Sequence, residues 1–118
     1  MENLAKFMAE QNLKTCAFSG IGTCDSVELA FYNIHLKDYR KKPFLEEMEI
    51  LLLNGNGSIK DGQPFIHAHG VFARNDFSVM GGHVFKLTVS ATLEIFLNKL
   101  EGEMKRDLNA DLNLNILQ

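Results

Sequence analysis

The sequence predicts an α+β fold for a single domain over residues 1–118, with a largely antiparallel sheet and a few flanking helices. The amino-terminal residues show helical periodicity, and most of the remaining chain consists of short apolar runs separated by glycine and asparagine. A further helix is expected near residue 100. A chain of 118 residues buries enough surface to fold without disulfides or a structural metal.

The first helix is predicted from Leu4, Phe7 and Met8, which recur at positions i, i+3 and i+4. Residues 15–20 and 26–36 follow as two predicted strands, because their apolar side chains alternate with polar or small ones. The chain begins almost directly in the helix.

The middle of the chain predicts strands that alternate with turns. Residues 38–43 are polar and charged and end in proline, which predicts a loop. Residues 48–53 are the most apolar segment and predict a central strand. The Asn-Gly pairs at 54–57 favour positive φ and predict a bulge or tight turn, and Asp-Gly at 61–62 predicts a hairpin before a strand at 64–72.

The last third of the chain is less uniform. A turn is predicted at residues 74–76 and a strand at 84–91. Residues 92–100 fit both a period of two and a helical period, and we predict strand at their start and helix later. Residues 112–116 alternate leucine or isoleucine with asparagine and predict a half-buried strand.

Composition narrows the classes of function. Twelve Lys and Arg against fifteen Asp and Glu give a net charge of −3, which disfavours binding to DNA by bulk charge. Cys16 and Cys24 are too few for a disulfide framework and are predicted as buried residues in a reducing compartment. No apolar run suits a membrane span or a signal peptide, so we expect a cytoplasmic protein with no membrane partner.

Three of the four histidines lie close together in the sequence. His67 and His69 are two positions apart in a predicted strand, so their imidazoles point to the same face. His83 belongs to the next strand, and a third histidine beside such a pair is typical of an accessible zinc site. His35 is isolated and is predicted to be structural or exposed. Because protons compete for imidazole nitrogens, affinity for a metal should fall as pH drops through about 6.5.

The length of the hairpin loop decides which histidine faces His83. A loop of residues 74–76 would place it opposite His67, and a loop of residues 75–77 would place it opposite His69. A two-residue loop would turn it to the wrong face, which a bulge at the two preceding glycines would correct. The sequence leaves these alternatives open.

Other polar residues are weaker candidates. Glu47 and Glu49 share a face and are the candidates for a base near a metal, but no catalytic residue is assigned and no enzymatic reaction is predicted. Arg40, Lys41 and Lys42 form a basic triplet, which we interpret as solvated loop charge rather than a phosphate-binding site.

An ordered set of short motifs extends along most of the chain. It comprises Ser19-Gly20-Ile21-Gly22, Glu49-Ile50-Leu51, Leu53-x-Gly55, Asp61-Gly62-x-Pro64, His67-x-His69 and Gly81-Gly82-His83. This set resembles the PPC domain, named for plants and prokaryotes conserved and also labelled DNA-binding-protein-like. The chain is most similar to the stand-alone prokaryotic branch.

The resemblance implies a strongly bent sheet, a homotrimer, and a divalent metal, most simply zinc, on His67, His69 and His83. An anionic ligand is then expected at the open coordination position. Two features depart from the family. Its opening strand is absent here, which predicts an unpaired sheet edge, and the hairpin tip is Asn75-Asp76 where the family often has Asp-Gly.

The expected function is therefore metal binding, with a binding or sensing role toward an unidentified ligand. One alternative is the DNA-binding or regulatory role that the family label suggests. Plant members carry AT-hook segments for that role, and no Arg-Gly-Arg-Pro hook occurs in this sequence. The other alternative is a metal-dependent enzyme acting on a small molecule.

Overall fold

The structure is a computed structural model that describes all of residues 1–118, and most of these residues lie in strands. The chain forms one helix followed by seven strands. In order, these are α1 (Glu2–Glu10), β1 (Cys16–Asn33), β2 (Asp38–Phe44), β3 (Met48–Lys60), β4 (Gln63–Ala73), β5 (Val79–Lys99), β6 (Arg106–Asn109) and β7 (Leu114–Leu117).

The main sheet is antiparallel and closes on itself. Its strand order is β2-β1-β3-β4-β5, and β5 pairs back onto β1. Strand β1 is long enough to pair with β5 along one edge and with both β3 and β2 along the other. The sheet therefore encloses its core.

The predicted α+β class with several flanking helices is wrong. The chain is 67% strand and 8% helical, and α1 is its single helix. The helix expected near residue 100 is instead the end of β5, where Leu93 pairs with Gly22 and Lys99 pairs with Cys16 of β1. The sequence of residues 92–100 fits both a strand period and a helical period, and backbone pairing with β1 makes residues 92–99 of this segment a strand. The predicted amino-terminal helix and the turn at Asp61-Gly62 are present as expected.

The loop predicted at residues 38–43 is also wrong. These residues belong to β2, an edge strand whose pairing with β1 runs from Asp38 opposite Asn33 to Phe44 opposite Val27. Pro43 is tolerated because an edge strand has one side that needs no ladder hydrogen bonds.

The glycines at residues 54–57 do not form a turn. They lie within β3, and a Cβ atom on Gly55 would fall 2.2 Å from the carbonyl oxygen of His67 and 2.7 Å from the Phe18 ring. A Cβ atom on Gly57 would fall 2.2 Å from the sulfur of Met8. Both positions require glycine because other parts of the chain pack directly against the strand.

The core lies inside the closed sheet, and Leu4 of α1 packs against it. Met8 is fully buried and its thioether accepts a hydrogen bond from the Cys16 thiol at 3.8 Å. The main cluster comprises Phe18, Cys24, Val27, Leu29, Met48, Ile50, Leu53, Ala68, Phe72 and Val84. Both cysteines are free and buried, as predicted.

A second, two-stranded sheet ends the chain. The strand expected at residues 112–116 begins at Leu114, pairs with β6 and lies against the main sheet. The Ile59 amide donates to the Met104 carbonyl, and the Tyr32 hydroxyl donates to the Leu112 carbonyl. The nine-residue α1 is too short to cross a lipid bilayer.

Candidate metal centre

The hairpin of β4 and β5 places the three histidines on one face. Its loop has Phe77 at φ 63° and is closed by a hydrogen bond from the Arg74 amide to the Ser78 carbonyl. Ala73 therefore pairs with Val79, and His83 lies directly opposite His69. This is the register expected for a loop of residues 75–77.

No bulge is needed at the two glycines before His83. Gly81 and Gly82 pair in regular register with Val71 and Gly70 of β4. A Cβ atom on Gly81 would lie 2.6 Å from the Gly70 carbonyl oxygen, so glycine here allows close approach of the strands.

The three imidazoles converge. Their ring centroids are 5.2 Å apart for His67 and His69, 5.0 Å for His67 and His83, and 5.3 Å for His69 and His83. One ligand nitrogen from each ring lies within 4.8 Å of the other two. Nitrogens bound to one tetrahedral zinc at about 2.1 Å are about 3.4 Å apart. Small side-chain rotations would bring the histidine nitrogens to this separation.

Burial keeps two of these rings neutral. The pKa of His67 is lowered to about 4 by burial, and then by the charges of Arg106 and His69. The pKa of His83 is lowered to about 4 mainly by burial, with smaller contributions from His67, His69, Arg106 and Lys41. Nδ1 of His83 is buried and has no hydrogen-bond partner. A neutral ring with a free buried nitrogen suits metal coordination.

Arg106 also lies at this site, although nothing in the sequence pattern predicted it. The residue is 6% exposed, and its Nε donates to the Ser58 hydroxyl at 3.1 Å. Its Nη1 donates to the Asn115 carbonyl at 2.9 Å, and its Nη2 donates to Asn56 Oδ1 at 2.9 Å. These bonds hold the guanidinium between the main sheet and the terminal hairpin. A lone arginine near the end of a chain gives no signal that it is buried.

Nη2 of Arg106 also lies 3.1 Å from Nδ1 of His67. Arginine only donates hydrogen bonds, so Nδ1 accepts and the proton of the neutral ring is on Nε2. A metal that binds His67 must therefore displace either the guanidinium from Nδ1 or the proton from Nε2.

A pocket of about 590 Å³ opens in front of His67 and His83. Phe65 and Phe85 form apolar walls, Tyr39 lies beside them, and residues 113–117 of the terminal hairpin form the far side. Volumes of this size are typical of sites for small molecules.

The remaining predicted candidates lie elsewhere. His35 is exposed in the turn after β1. Glu47 and Glu49 are exposed, and Glu49 pairs with Ala73, four residues from His69 and so roughly 13 Å along the strand. They are too far away to act as a base at the histidines, and no carboxylate lines the pocket.

The basic triplet belongs to β2 rather than to a loop. Lys41 places its ammonium 3.8 Å from the centroid of the Phe85 ring, and that ring lines the pocket. Lys42 lies 5.0 Å from the centroid of the Phe44 ring. Two of the three cations therefore pack on aromatic faces.

Comparison with solved structures gives close matches over 99% of the chain. A metal-containing protein from Archaeoglobus fulgidus is 33% identical, with a TM-score of 0.92 over 83% of that chain. A plant- and prokaryote-conserved protein from Pyrococcus horikoshii is 30% identical, with a TM-score of 0.94 over 81% of that chain. A protein from Bacteroides thetaiotaomicron, provisionally named DNA-binding, is 32% identical, with a TM-score of 0.94 over 82% of that chain.

No curated protein matches the chain significantly. The model of the Plants and Prokaryotes Conserved (PCC) domain matches residues 1–101, which include α1, all five strands of the main sheet and the three histidines. The terminal hairpin that carries Arg106 lies outside the matched residues. On this match the chain belongs to the Plants and Prokaryotes Conserved domain family.

Proposed function

We propose that this protein binds one divalent metal ion, zinc, through His67, His69 and His83, and that it uses the remaining coordination position to bind or sense a small anion. The convergence of three ligand nitrogens within 4.8 Å carries the proposal. The unpartnered buried Nδ1 of His83 supports it, because a buried polar nitrogen without a partner is costly unless something binds it.

The donor set favours zinc. Neutral imidazoles suit zinc, copper, nickel and iron. A structural zinc site would use thiolates, whereas both cysteines here are buried and neither belongs to the cluster of converging ligand atoms. The Archaeoglobus fulgidus protein is named for its metal content, and its 33% identity supports metal binding by this chain.

Charge at the site favours an anionic ligand over catalysis. Three neutral ligands leave the double charge of the ion uncompensated, and the Arg106 guanidinium adds to it. Bound zinc would supply Lewis acidity at the open position. A hydrolytic role would also need a base, and the two predicted carboxylates are remote. Anion binding needs no such base, so the groups at the site favour binding over hydrolysis.

Elemental analysis tests the metal site. Protein purified without chelator or affinity tag, then loaded with zinc, should contain about one zinc per chain. The triple variant His67→Ala, His69→Ala, His83→Ala should lose it. His35→Ala should retain it because His35 is exposed and does not belong to the histidine cluster. Zinc well below one per chain in the wild type, or equal zinc in the triple variant, would refute the site.

DNA binding is the second candidate. The basic triplet on β2 and the provisional name of the Bacteroides relative favour it. Two of its cations, however, pack on aromatic rings, and the net charge is −3. We expect no salt-sensitive gel shift with duplex DNA. A shift that is lost when Arg40, Lys41 and Lys42 are changed together would support the DNA-binding role instead.

We also infer that the chain assembles as a homotrimer. Beyond His83, β5 pairs with β1 along one edge, and its other edge has no partner within the chain. Phe96 and Val89 on this strand are 66% and 39% exposed. An unpaired apolar edge is normally covered in a native protein, and a copy of the same chain would cover it.

A further inference from the structure

The pocket in front of the histidines has two chemically different parts. His67, His83 and Arg106 form a polar end, and Phe65 and Phe85 form apolar walls. Such a division is typical of sites that fix one polar group of a ligand and enclose its apolar body.

The polar end attracts negative charge. No Asp or Glu lines the pocket, and Arg106 is held there with 6% of its surface exposed. The Lys41 ammonium lies 3.8 Å from the centroid of the Phe85 ring, which forms one of the pocket walls. Zinc on the histidines would raise the local positive charge further, with no acidic residue to balance it.

Arg106 has few donors left for a ligand. Its guanidinium carries five N–H groups, and four of them meet Ser58, Asn115, Asn56 and His67. One N–H on Nη1 has no partner in the chain, and zinc bound at Nδ1 of His67 would free a second N–H, on Nη2. Together with a single open metal position, this set suits the two oxygens of a carboxylate, whereas a phosphate needs more donors.

We propose that the pocket binds a small monocarboxylate with an aromatic or branched apolar body. The carboxylate is recognised by the metal and Arg106, and the body contacts Phe65 and Phe85. This inference rests on the proposed metal site and adds the chemical class of its ligand.

Calorimetric titration of the zinc-loaded protein tests the class, with benzoate, benzamide and inorganic phosphate as probes. Benzamide has the same size and an aromatic body but no charge, and phosphate has the charge but no apolar body. We expect benzoate to bind at least tenfold more tightly than either probe.

Variants separate the two parts of the pocket. Arg106→Gln should weaken benzoate about tenfold at saturating zinc, because a charge-assisted hydrogen bond is lost. Arg74→Gln is the matched control, since Arg74 is a half-buried arginine paired with Glu46 and does not line the pocket. Phe85→Ala should weaken benzoate several-fold and leave acetate unchanged, and this variant decides the test if Arg106→Gln fails to fold.

The outcomes distinguish this inference from the metal site. Zinc below one per chain refutes the metal site and the inference with it. One zinc per chain with equal binding of benzamide, or tighter binding of phosphate, refutes the inference alone. The inference is also overturned if benzoate binds Phe85→Ala and a folded Arg106→Gln as tightly as it binds the wild type.

Discussion

Arg106 shows how one side chain sets the state of a neighbouring ligand. Its hydrogen bond to Nδ1 of His67 fixes the tautomer of that ring and occupies one of the two nitrogens through which the ring could bind a metal. Its charge also lowers the pKa values of His67 and His83, after the effect of burial. The same residue therefore opposes a cation and favours an anion.

Arg106→Gln should bind zinc more tightly than the wild type, by about tenfold. The variant removes a positive charge and the hydrogen bond that occupies Nδ1 of His67 and holds the proton on Nε2, and a bond to a charged group contributes about 1.5–3 kcal/mol. Competition with a zinc chelator measures the affinity, with circular dichroism to show that the variant is folded. Arg74→Gln should leave zinc affinity unchanged, and a folded Arg106→Gln protein with weaker affinity would contradict the prediction.

The metal-free protein should lose stability as pH falls from about 6.5 to about 4. In this window the unfolded chain protonates His67 and His83, whereas the folded chain keeps them neutral because burial has lowered their pKa values to about 4. Protonation therefore favours the unfolded state. Below about 4 both states bind these protons, and the loss ends.

Urea denaturation between pH 4 and pH 7 measures this dependence. The double variant His67→Gln, His83→Gln should show a flatter profile, and the exposed control His35→Gln should keep the wild-type slope. Equal slopes in all three proteins would refute it. For these two histidines, proton competition with zinc should likewise begin near pH 4, below the range near 6.5 that the sequence alone predicts.

At the scale of the element, strand β3 depends on close approach. Gly55 lies against the backbone of His67 and the ring of Phe18, so β3 and β4 are tightly apposed beside the metal ligands. The sequence pattern predicted a bulge or tight turn here because Asn-Gly usually marks positive φ, whereas these glycines pair in regular register and make room for other atoms.

Gly55→Ala should destabilise the protein by about 1–3 kcal/mol, the usual cost of overpacking. The new methyl group would contact the His67 carbonyl oxygen, which is backbone and cannot rotate away. Chemical denaturation of the metal-free protein gives the free energy of unfolding. Asn54→Ala, at an exposed position of the same strand, should change it little. Equal free energies of unfolding for the Gly55→Ala and Asn54→Ala variants would contradict the prediction.

At the scale of the whole molecule, the open edge of β5 predicts self-association. Light scattering at micromolar concentration should give about three times the chain mass of 13.3 kDa. Phe96→Asp places a charge on the open strand and should lower the mass toward one chain. Phe31→Asp is the matched control, because Phe31 is also 66% exposed but lies on β1, where it pairs with Arg40 of β2 and not on the open edge of β5. A wild-type mass near 13.3 kDa would refute the trimer.

The sequence by itself determined the family, the first helix, the Asp61-Gly62 turn and the shared face of His67 and His69. These depend on neighbours in the chain: helical spacing, a dipeptide that tolerates positive φ, and the period of two in a strand.

Tertiary structure alone decided the remaining features. Residues 92–99 form a strand because they pair with β1. His83 lies opposite His69 because the hairpin loop consists of residues 75–77. Arg106 reached His67 because the terminal hairpin folds back over the sheet, across 39 positions of sequence. Local pattern carries no information about partners so distant, since their contact depends on how the whole sheet closes.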